Sequence, residues 1–167
     1  MLYTSSEANK LLKQTQEELE NLNAYEDRAS VFHAALGENV DDVRPEFDIV
    51  LYNQKVIDLH KRIREIKHAI SKFNLTTELP SFPGLTVDQA LVYMPQLSER
   101  VNHLKRMMSY LPKSRDTITP NVIDYAITNY DPAQAKAMYD EAYHTLMRLQ
   151  TDLDTVNNTV KSISIDL

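Results

Sequence analysis

Residues 45–73 read PEFDIVLYNQKVIDLHKRIREIKHAISKF, and their apolar side chains recur at alternating intervals of three and four. This spacing is typical of one face of an α-helix or of a coiled-coil seam. The seam consists of Ile49, Tyr52, Val56, Leu59, Ile63, Ile66, Ile70 and Phe73. A helix of this length spans about 43 Å at 1.5 Å per residue. A narrow seam on so long a helix buries little alone, so we expect neighbouring helices, in the same chain or in another subunit, to cover it.

Three further helices are predicted from the same spacing. The first occupies residues 5–36 and is expected to end at Gly37, because glycine is the usual residue after a helix C-terminus. The third begins after Thr86, which is correctly spaced to form a capping box with Gln89. The fourth occupies residues 132–156 and opens on a proline, which is favoured in the first helical turn.

Short β elements are predicted between and after these helices. Residues 74–85, NLTTELPSFPGL, indicate a β-hairpin or extended arm, because β-branched residues, two prolines and a glycine interrupt the helical spacing. Residues 112–120 are predicted to form a loop, residues 121–129 a strand, and residues 159–167 a short strand. The predicted fold is therefore mainly α. Its four helices form long coiled-coil-like hairpins, with small β-hairpin or strand elements at one end of the helices.

The chain is predicted to form a single helical domain over residues 1–167, with an internal repeat. A shift of 83 positions places the seam of the second helix on apolar residues of the fourth. The same shift places Asn74-Leu75-Thr76 on Asn157-Asn158-Thr159, so both helices end in Asn-x-Thr. This match indicates a repeated helix-plus-strand unit over 45–79 and 128–162. The alternative is that two helices end in the same common turn chemistry, since asparagine often caps helix ends.

Composition excludes several classes of protein. The chain has 167 residues, two glycines and no cysteine. Without cysteine it holds no disulfide, iron–sulfur cluster or cysteine nucleophile, and two glycines are too few for the phosphate-binding loops of nucleotide-binding folds. No signal peptide is recognisable, and no apolar run approaches the ~18 residues of a membrane span. We therefore expect a cytoplasmic protein without membrane contact.

One segment, Ile70 to Leu104, combines a helix that ends in FNLTT, a short glycine-containing hairpin and the run LTVDQAL. This combination resembles a group of small uncharacterised bacterial and prophage proteins, some of which carry the label septicolysin. The likeness covers about a fifth of the chain and rests on positions such as Asn74, Thr76, Thr86 and Ala90. The resemblance implies a long helical hairpin with a β tip and a tendency to oligomerise, and it brings no catalytic residues.

Two Glu-x-x-His motifs match the pattern of di-metal carboxylate helical bundles. Glu65 with His68 lies in the second predicted helix, and Glu141 with His144 lies in the fourth. Ligands of such a metal centre project into the bundle, whereas the heptad phase puts all four residues at outer positions. The favoured interpretation is therefore a solvated helix surface without metal or cofactor, and a di-metal bundle is the minor alternative.

Charge is distributed unevenly along the chain, whose net charge is −6. Residues 49–115 hold 11 basic and 5 acidic residues, whereas residues 1–48 hold 4 and 11, and residues 116–167 hold 3 and 8. The basic face predicted from this segment comprises Lys61, Arg62, Arg64, Lys67, His68 and Arg106. Such a face could bind nucleic-acid phosphates. We favour neutralisation by the acidic helices, within the chain or between subunits, because the chain is acidic overall.

Assembly is the function expected from these observations. The sequence has no nucleophile motif and no carboxylate pair spaced for acid–base work. The leading hypothesis is a non-enzymatic oligomeric helical scaffold or protein-interaction protein, a homo-oligomer whose other protein partner is unknown. Its helices would form the assembly surface, and its β tip a contact site through Asn74, Thr76, Thr77 and Phe82. Nucleic-acid binding by the basic 55–115 hairpin is the alternative.

Overall fold

The computed structural model of the chain describes residues 1–116 and 123–165. Helices account for 67% of the described residues, and three antiparallel strand pairs accompany them. The prediction of a mainly α protein with small β elements is therefore confirmed. In chain order the elements are β1 (Leu2–Tyr3), α1 (Ser5–Ala29), α2 (Val40–Val43), α3 (Ile49–Thr76), β2 (Glu78–Leu79), β3 (Phe82–Thr86), α4 (Val87–Met107), β4 (Lys113–Asp116), β5 (Asp124–Ile127), α5 (Pro132–Thr159) and β6 (Ile163–Ser164). Within this part of the chain, no helix is long and apolar enough to cross a membrane.

The chain divides into two compact units with the same plan. Unit 1 comprises Met1–Asn74 with Asn157–Leu167, and unit 2 comprises Leu75–Val156. Each unit contains a two-stranded antiparallel pair, a helix, a connecting segment and a second helix. In unit 1 these are β6 with β1, α1, the segment that includes α2, and α3. In unit 2 they are β2 with β3, α4, the segment that includes β4 and β5, and α5.

The second helix of each unit has the same length and the same core position. Both α3 and α5 have 28 residues, and α5 begins and ends 83 positions after α3 begins and ends. Ile66 of α3 and Leu149 of α5 are separated by the same offset, and both side chains are 0% exposed. This is the offset on which the sequence repeat rests. The repeat itself stays a prediction.

A short strand leads into a threonine cap in both units. In unit 1 the Thr4 hydroxyl accepts a hydrogen bond from the Glu7 amide at 3.1 Å, and the Glu7 carboxylate accepts one from the Thr4 amide at 2.9 Å. In unit 2 the Thr86 hydroxyl accepts from the Gln89 amide at 3.3 Å, and the Gln89 side chain accepts from the Thr86 amide at 3.0 Å. The predicted capping box at Thr86 is confirmed. The sequence analysis missed the equivalent box at Thr4.

The first helix is shorter than the spacing predicts. It ends at Ala29 instead of residue 36, and Leu36 is 108% exposed. Because Leu36 has no apolar surface to pack against, its position in the heptad pattern supplies no energy to extend the helix. A local alternative also competes with the helix, since the Glu38 carboxylate accepts a hydrogen bond from the Ala35 amide at 2.9 Å.

Two other predicted boundaries are wrong. The second predicted helix starts at Ile49 instead of residue 45, because the Asp48 carboxylate accepts hydrogen bonds from the Val50 and Leu51 amides at 2.9 and 3.1 Å and caps the helix there. The predicted loop 112–120 contains strand β4, which pairs with β5. Residues 117–122, which include the rest of that loop and the start of the predicted strand 121–129, lie outside the described residues.

Candidate assembly surfaces

The basic side chains predicted from the sequence lie in different units. Four of them are exposed on α3: Lys61, Arg64, Lys67 and His68. Arg62 is half-buried, and its Nε has no hydrogen-bond partner among the described residues. Arg106 lies on α4 in unit 2, where its guanidinium is 3.2 Å from His103 Nδ1. The exposed basic face therefore consists of the α3 residues alone. Within it, the Lys61 ammonium forms an ion pair with the Glu65 carboxylate one turn away, at 3.8 Å.

The predicted β tip is attached to α5 of its own unit. The Asp152 carboxylate accepts hydrogen bonds from the Ser81 amide at 2.7 Å and the Ser81 hydroxyl at 3.1 Å. The Arg148 guanidinium carbon lies 5.7 Å from the ring centre of Phe82, which is half-buried. Phe82 therefore packs within unit 2, against Arg148.

The other predicted tip residues lie at the junction of α3 with β2. The Thr77 carbonyl accepts a hydrogen bond from the Val87 amide at 2.8 Å, which joins the end of α3 to the start of α4. Thr76 is exposed, and Asn74 is half-buried in the last turns of α3. Within β3, Gly84 has a φ of 80°, a conformation that glycine adopts without strain.

The four candidate metal ligands lie at the surface. Glu65, His68, Glu141 and His144 are all exposed. Across residues 1–116 and 123–165, no group of three or more histidine, aspartate or glutamate side chains is placed to hold a metal ion. The arrangement agrees with the outer heptad positions of these residues.

An open groove of about 900 Å³ runs along α4 in unit 2. Its lining includes Ser98, Glu99, Lys105 and Arg106. The Ser98 hydroxyl donates to the carbonyl of Met94 at 2.8 Å, which is a bond within the helix. No histidine or carboxylate accepts from this hydroxyl in the described structure, so the groove lacks an activated serine nucleophile.

Two shifted pKa values have local structural causes. The hydrogen bond from the Thr4 backbone lowers the pKa of the Glu7 carboxyl below its usual value. A 2.8 Å hydrogen bond to Asp140, one turn along α5, raises the pKa of Lys136. Each bond stabilises a helix at the surface, and neither group lies in the groove of unit 2.

The first turns of α3 lack the cover that the seam pattern predicts. Of the 28 residues of α3, only three are buried, the first of them Leu59. Ile49, predicted to lie on the buried seam, is 62% exposed, and the next two residues, Val50 and Leu51, are 75% and 53% exposed. Three successive apolar residues point in different directions around a helix, which is the sequence signal for this surface.

The segment before α3 is fixed to unit 1 by aromatic packing. The ring centre of Phe47 lies 6.3 Å from that of Tyr25 and 5.8 Å from that of Tyr52. The Tyr25 hydroxyl donates to the carbonyl of Glu46, and the Tyr52 hydroxyl donates to Asn23 Oδ1 at 3.0 Å. These contacts hold the segment in place next to the exposed start of α3.

We name residues 36–51 the acidic segment. Its charged residues are Glu38, Asp41, Asp42, Arg44, Glu46 and Asp48. Arg44 pairs with Asp41 at 3.2 Å, whereas the carboxylates of Asp42 and Glu46 contact no partner among the described residues. Exposed apolar side chains lie at both ends of the segment, with Leu36 at one end and Ile49 at the other. The acidic segment therefore combines negative charge with uncovered apolar surface.

A second uncovered surface lies on β4 and β5 in unit 2. In their antiparallel register Lys113 is opposite Ile127 and Arg115 is opposite Tyr125, so these side chains share one face. Ile123 directly precedes β5 and is also exposed. We name these five residues the ribbon face. Ile123, Tyr125 and Ile127 are 65%, 52% and 71% exposed, and Lys113 Nζ lies 4.0 Å from the Tyr125 ring centre.

Comparison with known proteins supports the fold and assigns no activity. No protein-family model matches the chain, and no curated protein matches it. A solved structure described as a functionally unknown conserved protein from Corynebacterium diphtheriae superposes with a TM-score of 0.53 at 17% sequence identity. The match covers 94% of this chain and 96% of that one. At this identity the likeness concerns the fold alone.

Proposed function

We propose that this chain is a non-enzymatic helical protein that acts by self-association in the cytoplasm, as a scaffold or as an interaction module for another protein. The observation that carries the proposal is the uncovered apolar surface at the start of α3, where Ile49, Val50 and Leu51 are all more than half exposed. Isolated surface leucines are ordinary, but three successive exposed residues leave most of the circumference of the first turn of α3 apolar, and uncovered apolar surface of this kind marks interaction sites. Association would bury these side chains away from water, which is favourable.

Two further features support assembly. The alternating three-and-four spacing of α3 and α5 favours coiled-coil-like packing in helical hairpins, whose remaining apolar surface other subunits could cover. The resemblance of residues 70–104 to the septicolysin-labelled group implies the same tendency to oligomerise. The groove of unit 2, with Ser98 bonded within its own helix, offers no competing catalytic arrangement.

Light scattering coupled to size exclusion tests this proposal. The mass of one chain is 19.3 kDa. We expect a discrete multiple of this mass at micromolar concentration, and Ile49→Ser with Val50→Ser should shift the mass toward one chain. Leu75→Ser, at a position 61% exposed near the other end of α3, is the control that should leave the mass unchanged. A wild-type mass of 19.3 kDa at all concentrations would contradict self-association.

Nucleic-acid binding is a second candidate function, supported by the exposed basic face of α3. Lys61, Arg64 and Lys67 are exposed on this helix, and phosphate binding by such side chains is strongly dependent on salt. Fluorescence anisotropy with labelled DNA and RNA at low salt would test it. Binding that disappears in Arg62→Glu, Arg64→Glu, Lys67→Glu would support this function, and unchanged anisotropy with wild-type protein would exclude it.

A further inference from the structure

We infer that the ribbon face of one copy docks on the acidic segment of a second copy. This inference rests on the proposed function and specifies which surfaces meet. Both surfaces combine exposed apolar side chains with charge, and the charges are opposite in sign.

The ribbon face needs a covering surface. A two-stranded antiparallel pair is marginally stable in water unless one face packs against another element. All four residues of β5 are exposed, and the ribbon face presents Tyr125 and Ile127 to solvent. Since the sheet has two strands, each has one edge without a strand partner in the described structure. Natural proteins usually cover or charge such edges.

The charges on the ribbon face specify an acidic partner. Lys113 and Arg115 lie on β4, on the same face as the exposed side chains of Ile127 and Tyr125 that they oppose. Within the described residues Arg115 has no ion-pair or hydrogen-bond partner, and the described contact of Lys113 is with the Tyr125 ring. Two cations beside an apolar centre match a surface with the same arrangement and negative charge.

The acidic segment has that arrangement. It holds five carboxylates against one guanidinium, and the carboxylates of Asp42 and Glu46 are unpaired within the described chain. Leu36 and Ile49 supply the apolar part. Every copy carries one ribbon face and one acidic segment, so the contact is heterologous: each copy can present its ribbon face to one neighbour and its acidic segment to another.

Charge reversal on each side separates this interface from other modes of association. The first variant carries Lys113→Glu and Arg115→Glu, and the second carries Glu38→Lys, Asp42→Lys and Glu46→Lys, which changes the net charge of the acidic segment from −4 to +2. Each variant places like charges opposite one another in its own homo-oligomer. We expect each alone to associate at least about 10-fold more weakly than wild type, because juxtaposed like charges are strongly unfavourable.

Mixing the two variants restores the complementarity. The acidic ribbon face of the first variant then faces the basic segment of the second, and the unmodified ribbon of the second faces the unmodified segment of the first. We expect the equimolar mixture to regain the wild-type mass by light scattering. Arg64→Glu with Lys67→Glu on α3 is the matched control, since it reverses one arginine and one lysine without touching either surface.

The outcomes distinguish the interface from the proposed function. Weak association of each variant, recovery in the mixture and a wild-type mass for the α3 control support the interface. An oligomer that persists at the wild-type mass in both variants overturns the interface and leaves self-association standing. A wild-type protein that is a single chain at all concentrations overturns both. Far-UV circular dichroism verifies folding. The variant with all five substitutions, in which both surfaces are reversed and again match, should recover the wild-type mass if the interface is correct.

Discussion

Truncation of Leu149 to alanine tests the core of unit 2 quantitatively. Leu149 lies on α5, is 0% exposed and is among the largest fully buried side chains of the described structure. The substitution removes three carbon atoms, and at about 0.8 kcal/mol for each buried methylene the transfer term alone is about 2.4 kcal/mol. The cavity that remains adds to this cost, and buried leucine-to-alanine substitutions cost about 2.7–5 kcal/mol in total. We therefore expect the free energy of unfolding to fall by about 3–4 kcal/mol.

Urea denaturation followed by far-UV circular dichroism measures this loss. With a dependence on urea of about 1–3 kcal/mol per molar, the midpoint should fall by about 1–4 M. Leu91→Ala on α4 is the matched control, because it makes the same chemical change at a side chain that is 45% exposed. The control should cost less than about 1 kcal/mol. Equal midpoints for the two variants at the same protein concentration would refute the assignment of Leu149 to the core.

Three smaller perturbations test the two helix caps and the backbone conformation at Gly84. The hydrogen bond from the Thr4 backbone lowers the pKa of Glu7 below its usual 4.5. The carboxylate therefore stabilises the fold above pH 4.5, and this contribution is lost as the pH falls through the lowered pKa. Glu7→Gln should flatten the fall in Tm below pH 4.5, and an unchanged profile would contradict this. Thr86→Ala removes a capping hydroxyl and should cost about 1 kcal/mol, seen as a Tm lower by about 2–4 °C. Gly84→Ala should cost about 1–2 kcal/mol by urea denaturation because of its positive φ, and no loss would show that the backbone of β3 relaxes at this position.

Periodicity predicted the long helices well because the pattern of core-facing positions is set by residues three and four apart in the same helix. The seam positions of α5 from Ala135 to Val156 are largely buried, and the predicted opening at Pro132 is its first residue. Capping at Thr86 was also readable, since a capping box involves residues three apart. These features are determined within one or two helical turns.

The features that the sequence analysis missed depend on distant or competing contacts. Strand β1 has two residues and exists through pairing with Ile163 and Ser164, which no local pattern reveals. α1 ends before residue 36 because Leu36 has no apolar surface to pack against. α3 begins at Ile49 because the Asp48 carboxylate caps the helix there, so Pro45 is not its first residue. Only one strand of the ribbon face was predicted: β5 lies within the predicted strand 121–129, whereas β4, KSRD, contains no apolar residue to mark it.

The strand pairs give the chain a property relevant to protein engineering. In unit 2, β2 and β3 are joined by a turn through Pro80 and Ser81, whereas in unit 1 the equivalent strands β6 and β1 pair without being consecutive in the sequence. A short linker from residue 167 to residue 1 would supply the missing turn. A circular permutant linked there and opened between Pro80 and Ser81 would make β6 and β1 consecutive in the sequence and place β2 and β3 at opposite ends of the chain. Every described strand and helix would stay intact.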